Sequence, residues 1–251
     1  MFSLLGRARA LQLDQSDFLC RLFDQLVEPA LSYGCQLWGP GVASRAFCRA
    51  LATPTAAQQL QQPRPAHVLD KILDSKIVPA EAAHGGFLRH LGGLPASTPK
   101  WLVLAEFGRQ PLVLRWLTLT ARWWERMVVL NAARQAPVGE GDSPSGCSLT
   151  IDAWLESIGL FLDNPVGDRW ASEFLRCMHM LGVADARQCT SVTQVLALDI
   201  TEESVRRAGE EGVRDWWQHA GGDHPDPRTV PGHDVWYSTY RQWVQGGAET
   251  P

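Results

Sequence analysis

The segment PLVLRWLTLTARWWERMVVLNAA, residues 111–133, is the longest apolar stretch of the chain, and its reading decides the fold class. Arg115, Arg122, Glu125 and Arg126 interrupt it. Four charges there would be very costly in a bilayer core, so the stretch is not a membrane span. Trp116, Leu119, Trp123, Met127 and Leu130 recur at spacings of three and four, which puts them on one face of an α-helix. Pro111 suits the start of that helix, where an amide would be unpaired in any case. The segment therefore predicts a long helix with one face in a globular core.

The same periodicity continues on both sides. Upstream, Thr98-Pro99 starts a helix that runs from Trp101 to Phe107 and closes at Gly108. Leu69, Ile72, Leu73 and Ile77, then Phe87, Leu88 and Leu91, keep helical spacing up to Gly92-Gly93. Ser16 is a good N-cap for a helix with the stripe Phe18/Leu19, Leu22/Phe23 and Leu26/Val27. Pro29 should end or kink that helix, because it lacks an amide and crowds the preceding turn. Leu31, Tyr33, Leu37 and Trp38 carry the pattern to an expected break at Gly39-Pro40-Gly41. Residues 40–66 read as a loose connection with a short helix near Arg45–Leu51, and Leu4, Ala8 and Leu11 share a face of a first helix.

Downstream, residues 134–148 have linker composition. Thr150 is expected to cap a helix carrying Trp154, Leu155 and Ile158, and Asp168 to start another with Trp170, Phe174, Cys177/Met178 and Leu181 before Gly182. Thr201-Glu202-Glu203 places acid at a helix N-terminus, where the dipole favours it. A last helix is expected to carry Trp236, Tyr240 and Trp243. No run alternates apolar and polar residues, so the expected architecture is all-α. One helical region spans 1–133, a linker 134–148, and a second, smaller helical region 149–251.

Residues 1–135 hold 15 Lys+Arg against 9 Asp+Glu, a net of +6, whereas residues 136–251 hold 8 against 18, a net of −10. Only the front half can meet a phosphate backbone by counterion release. The 11 Trp read mainly as core packing. Six Cys without a C-x-x-C pair read as reduced thiols of an intracellular protein, neither a disulfide scaffold nor a zinc ribbon.

No G-x-S-x-G, H-E-x-x-H, Walker loop or G-x-G-x-x-G occurs, and no Asp-Asp pair. His219, Asp223 and His224 are the tightest potential zinc ligands, but they lie among turn-forming residues and read as a solvated loop. Cys177 and His179, two apart on a helix, point to different faces. No metal site is expected.

Two segments resemble the region after the palm in reverse transcriptases of non-LTR (LINE-type) retrotransposons. The first, LCRLFDQLVEPALSYGCQLWG (19–39), is similar to the family's thumb pattern through Leu22, Phe23, Asp24, Leu26, Val27, Pro29, Leu31, Tyr33, Gly34, Trp38 and Gly39. The second, FLRHLGGLPASTPKWLVLAEFGRQPL (87–112), is similar through Phe87, Arg89, Leu91, Gly92, Ser97, Thr98 and Pro99, then Leu104, Glu106, Gly108, Arg109, Pro111 and Leu112. The resemblance covers residues 1 to about 130 and is vaguer from 149 to 245.

The resemblance implies a thumb-like helical bundle and connector from an RNA-directed DNA polymerase. The family's palm carboxylates hold two magnesium ions on an aromatic-x-Asp-Asp turn upstream of the thumb. That turn is not in this sequence, so the expectation is no catalysis by this chain alone and no cofactor within it. The implied partners are an RNA/DNA duplex and an upstream palm domain, with no membrane, and the implied location is the nucleus. Duplex phosphates would fall to Arg7, Arg9 and Arg21. Arg109 would either join them or pair with Glu106 across the helix end. The alternative is a degenerate helical protein with a structural or interaction role and no retained activity.

Overall fold

The computed structural model describes residues 16–51, 78–98, 100–135 and 148–219. Among them the regular elements are all helical, as the periodicity predicts. They are α1 (Ser16–Leu22), a π-helical turn (Phe23–Val27), α2 (Glu28–Ser32), α3 (Cys35–Leu51), α4 (Pro79–Leu91) and α5 (Lys100–Glu106). The long α6 (Leu112–Gln135) follows, then α7 (Ser148–Asp163), α8 (Trp170–Met180), a 3-10 turn (Ala186–Gln188), α9 (Val192–Leu196) and α10 (Glu202–His219). The expected helices around Leu4–Leu11, Leu69–Ile77 and Trp236–Trp243 lie outside the described residues.

Helix α6 is the centre. Helices α3 and α10 pack along it, α8 packs on α3, and α7 packs on α8. Its buried residues include Trp116, Leu117, Thr120, Ala121, Trp124 and Met127, while Leu119, Trp123 and Leu130 are only partly buried. The core face is thus rotated by roughly one residue from the expected stripe. Trp124 takes the central place because neighbours wait for it. Its ring meets Trp154 edge-on at 5.1 Å and Phe174 at 5.3 Å.

Those neighbours come from beyond residues 134–148. One hydrophobic core runs from Leu19 to Val205, so the helices after the linker complete the bundle that the front half begins. Trp170 joins the same cluster, 5.4 Å from Phe174 and 5.2 Å from Trp123.

Two prolines behave differently from expectation. Pro40 does not break the chain, for α3 runs through Gly39-Pro40-Gly41 to Leu51. An interior proline normally strands the carbonyl four residues back. Here that carbonyl, on Gln36, accepts the indole N–H of Trp170 at 2.6 Å. The flanking glycine Gly39 lets α3 approach α6, since a Cβ there would lie 3.4 Å from the Trp116 Cβ. The short helix expected near Arg45–Leu51 is therefore the end of α3, and residues 41–44, expected to be loose, are helical too. Pro29 is absorbed by the π turn before it, in which Glu28 N–H bonds to the Phe23 carbonyl five residues back.

The helix stops follow the sequence. Gly108 takes φ 59, and the Arg109 N–H reaches back to the Leu104 carbonyl at 2.7 Å. That left-handed terminus is open to glycine at no steric cost. Gly92 serves by its size instead, because a Cβ there would press on the Phe107 ring at 3.1 Å. At α10, the Thr201 Oγ1 accepts from Ser204 N–H at 3.0 Å while Ser204 Oγ accepts from Thr201 N–H at 2.9 Å. Ser148 opens α7 ahead of the expected Thr150 cap, and α8 starts at Trp170 after Asp168.

Candidate nucleic-acid interface

The two segments that carry the resemblance lie far apart in sequence and meet in space. Phe23, buried in the π turn, stacks on Phe87 of α4 with ring centroids 4.6 Å apart and on His84 at 5.1 Å. The next residue, Asp24, grips the Arg109 guanidinium through both carboxylate oxygens, at 2.6 and 2.9 Å. Arg109 thus pairs with Asp24 and not with Glu106, which is exposed. Burial acts to lower its pKa, and hydrogen bonds to Asp24 and Cys20 outweigh that and raise it. It is a clamp between the segments.

Beneath the clamp the wholly buried Glu81 of α4 caps α6, its Oε1 accepting from the Val113 N–H at 2.9 Å. Its second oxygen stands 3.9 Å from His84 Nδ1, and neither atom has a hydrogen-bond partner among the described residues. Arg89 donates through Nε to the Thr98 carbonyl at 2.9 Å, which ties α4 to the loop before α5. Burial lowers its pKa. Pro111 is buried just ahead of α6. Glu28, 6 % exposed, pairs with Arg115.

Of the four expected phosphate-binding arginines, Arg109 is spent on Asp24, and Arg7 and Arg9 lie outside the described residues. Arg21 on α1 is exposed and has no ion pair among the described residues. Three further arginines, Arg115, Arg122 and Arg126, are exposed on α6 at spacings of seven and four, so they share one side of the helix. The sequence displayed them as interruptions of an apolar run, and that spacing was the signal for an outward face. Arg122 lies 3.7 Å from Glu202. Glu125 is spent otherwise, its Oε2 accepting the Glu202 N–H at 2.9 Å.

The first segment divides into inward and outward residues. Phe23 is core, and Gly34, at φ 66, makes the turn between α2 and α3. Trp38 donates Nε1–H to the Tyr33 carbonyl at 2.9 Å and meets Trp116 edge-on at 4.7 Å, yet stays 38 % exposed. Tyr33 and Leu37, 87 % and 72 % exposed, point outward, as do Leu26 and Phe18. Pro29 is exposed among them. Along the sequence, Phe18, Leu26, Pro29, Tyr33 and Leu37 thereby make a stripe of exposed apolar residues, interspersed with the exposed Arg21, Gln25 and Ala30. The periodicity that predicts a core stripe here therefore has an outward half as well.

No group of three His, Cys, Asp or Glu among the described residues is placed to hold a metal. Cys177 is buried against the Pro40 carbonyl at 3.8 Å and burial raises its pKa. His179 faces Asp185 at 3.7 Å. Of the zinc alternative, His219 ends α10 and Asp223 and His224 lie outside the described residues. No described helix is long and apolar enough to cross a membrane. Comparison with known proteins adds no relative, for no family model, curated protein or solved structure matches the chain.

Proposed function

We propose that this chain is a thumb-and-connector module of a non-LTR reverse-transcriptase-type protein, which docks on an upstream palm and steadies a template–primer duplex without catalysing synthesis. The observation that carries this reading is the exposed stripe of Leu26, Tyr33 and Leu37. It is built by the same segment whose inward residues lock it to α4 and Arg109. Large apolar side chains exposed together on one segment fit a protein-contact surface, and a module that leans on a palm needs one. Arg21, and Arg126 on the outward side of α6, neither in an ion pair among the described residues, supply the duplex contacts, which act through phosphates and carry no base specificity.

A second reading, a helical interaction protein that binds no nucleic acid, draws support from the carboxylates already paired with Arg109, Arg115 and Arg122. Gel filtration of the chain with a thumbless fingers–palm fragment tests the docking half. Co-elution that is lost in Tyr33→Asp/Leu37→Asp is expected. Separate elution, or co-elution unchanged by those substitutions, contradicts it.

A further inference from the structure

Helix α10 packs along α6 and brings the acidic half of the chain to the arginines of the basic half. Its first residue, Glu202, donates its backbone N–H to Glu125 Oε2 of α6 at 2.9 Å. Its carboxylate stands 3.7 Å from Arg122 Nε. The reciprocal bonds between Thr201 and Ser204 fix the first turn of α10, so the Glu202 side chain leaves from a held position.

The other acids of α10 that form ion pairs are spent within the helix. Arg206 donates to both Glu203 oxygens, at 2.8 and 2.6 Å, and to Glu210 Oε1 at 2.6 Å. Glu202 is the one turned to α6, and among the described residues Arg122–Glu202 is the ion pair that joins the two helices.

Arg122 and Arg126 are four apart on α6 and exposed, so they sit one turn apart on one face. Arg126 has no ion pair among the described residues, whereas Arg122 has Glu202. A carboxylate and a phosphate offer a guanidinium the same oxygen acceptors, so Glu202 takes the place that a phosphate would take on Arg122. The two side chains are 43 % and 70 % exposed. An exposed pair of this kind holds weakly, which makes it a contact that a polyanion can displace.

We infer that Glu202 is an autoinhibitory contact, which occupies Arg122 in the free chain and competes with a duplex phosphate for it. The inference rests on the duplex-binding reading above and adds its regulation. Arg21 and Arg126 meet phosphates directly, and Arg122 is a third contact that opens only when Glu202 gives way. Because Glu202 is tethered beside Arg122, the competition is intramolecular and does not fade on dilution.

Fluorescence anisotropy of a labelled RNA–DNA hybrid, with the full chain and its variants at a series of salt concentrations, tests this. Glu202→Gln should bind about threefold tighter at low salt, with a salt slope steeper by about one. Adding Arg122→Gln to Glu202→Gln should remove that gain. Glu203→Gln makes the same change of net charge one residue away, on a side chain held by Arg206, and should give no such gain. Parent and Glu202→Gln affinities that coincide overturn the inference and leave the duplex reading standing. An equal gain in Glu203→Gln, or a gain that survives Arg122→Gln, overturns it as well. Absence of binding by both the parent and Glu202→Gln overturns the duplex reading and this inference together.

Discussion

The indole N–H of Trp170 donates to the carbonyl of Gln36 at 2.6 Å, across 134 residues of sequence. Gln36 lies four residues before Pro40, which has no amide to give it. The bond therefore makes good what the proline takes from α3. Trp170→Phe should strand that carbonyl in a partly buried place and cost about 1–3 kcal/mol. Pro40→Ala restores the missing amide, so it should rescue most of the loss in the Trp170→Phe background. Urea midpoints at constant slope measure the coupling. Additive effects of the two substitutions would show that the bond does not serve this purpose.

The Asp24–Arg109 clamp predicts a loss that charge alone does not repair. Arg109→Lys keeps the charge and loses the two-pronged geometry, and should cost about 1 kcal/mol. Because Arg109 is committed to Asp24, Arg109→Ala should lower stability and leave the salt dependence of any duplex binding unchanged. A reduced salt slope would return Arg109 to the phosphate contacts.

The stripe separates residues that the resemblance groups together. Tyr33→Ser and Leu37→Ser should each change stability by less than about 0.5 kcal/mol, as surface substitutions do. Phe23→Ala, in the core against Phe87 and His84, should cost about 3–5 kcal/mol. Thermal or urea unfolding of the three variants distinguishes them.

Legibility in the sequence followed the range of the interaction. Helix stops at Gly93, Gly108 and Gly182 were readable, since a left-handed glycine at a helix end is a local matter. The path of α3 through Pro40 was not, because its remedy comes from Trp170 on another helix. Spacing alone could not choose between Trp123 and Trp124, adjacent on α6, for the partners that decide it are Trp154 and Phe174. Arg109 has Glu106 nearby in sequence and Asp24 nearby in space, and only the fold reveals which it meets. At the candidate interface, periodicity found the α1 stripe without saying that part of it faces outward.

The hydrogen bonds from Arg187 hold the Asp185 carboxyl down at about 2, from 3.8. A depressed acid stabilises the fold fully above its unfolded pKa and loses that contribution as pH falls through the folded one. The parent chain should therefore exceed Asp185→Asn in stability by a constant margin above pH 3.8, a margin that vanishes as pH approaches 2. Chemical unfolding at a series of pH values checks this. A margin that persists at the acid end would mean the pair is not its source.

Fluorescence anisotropy of a labelled RNA–DNA hybrid titrated with the full chain decides whether it holds a duplex. Saturable, sequence-independent binding at low salt is expected, weakening steeply between about 50 and 200 mM salt, with a shallower slope for Arg21→Ala. No binding at low salt, or binding indifferent to salt, would contradict it and leave a helical interaction protein.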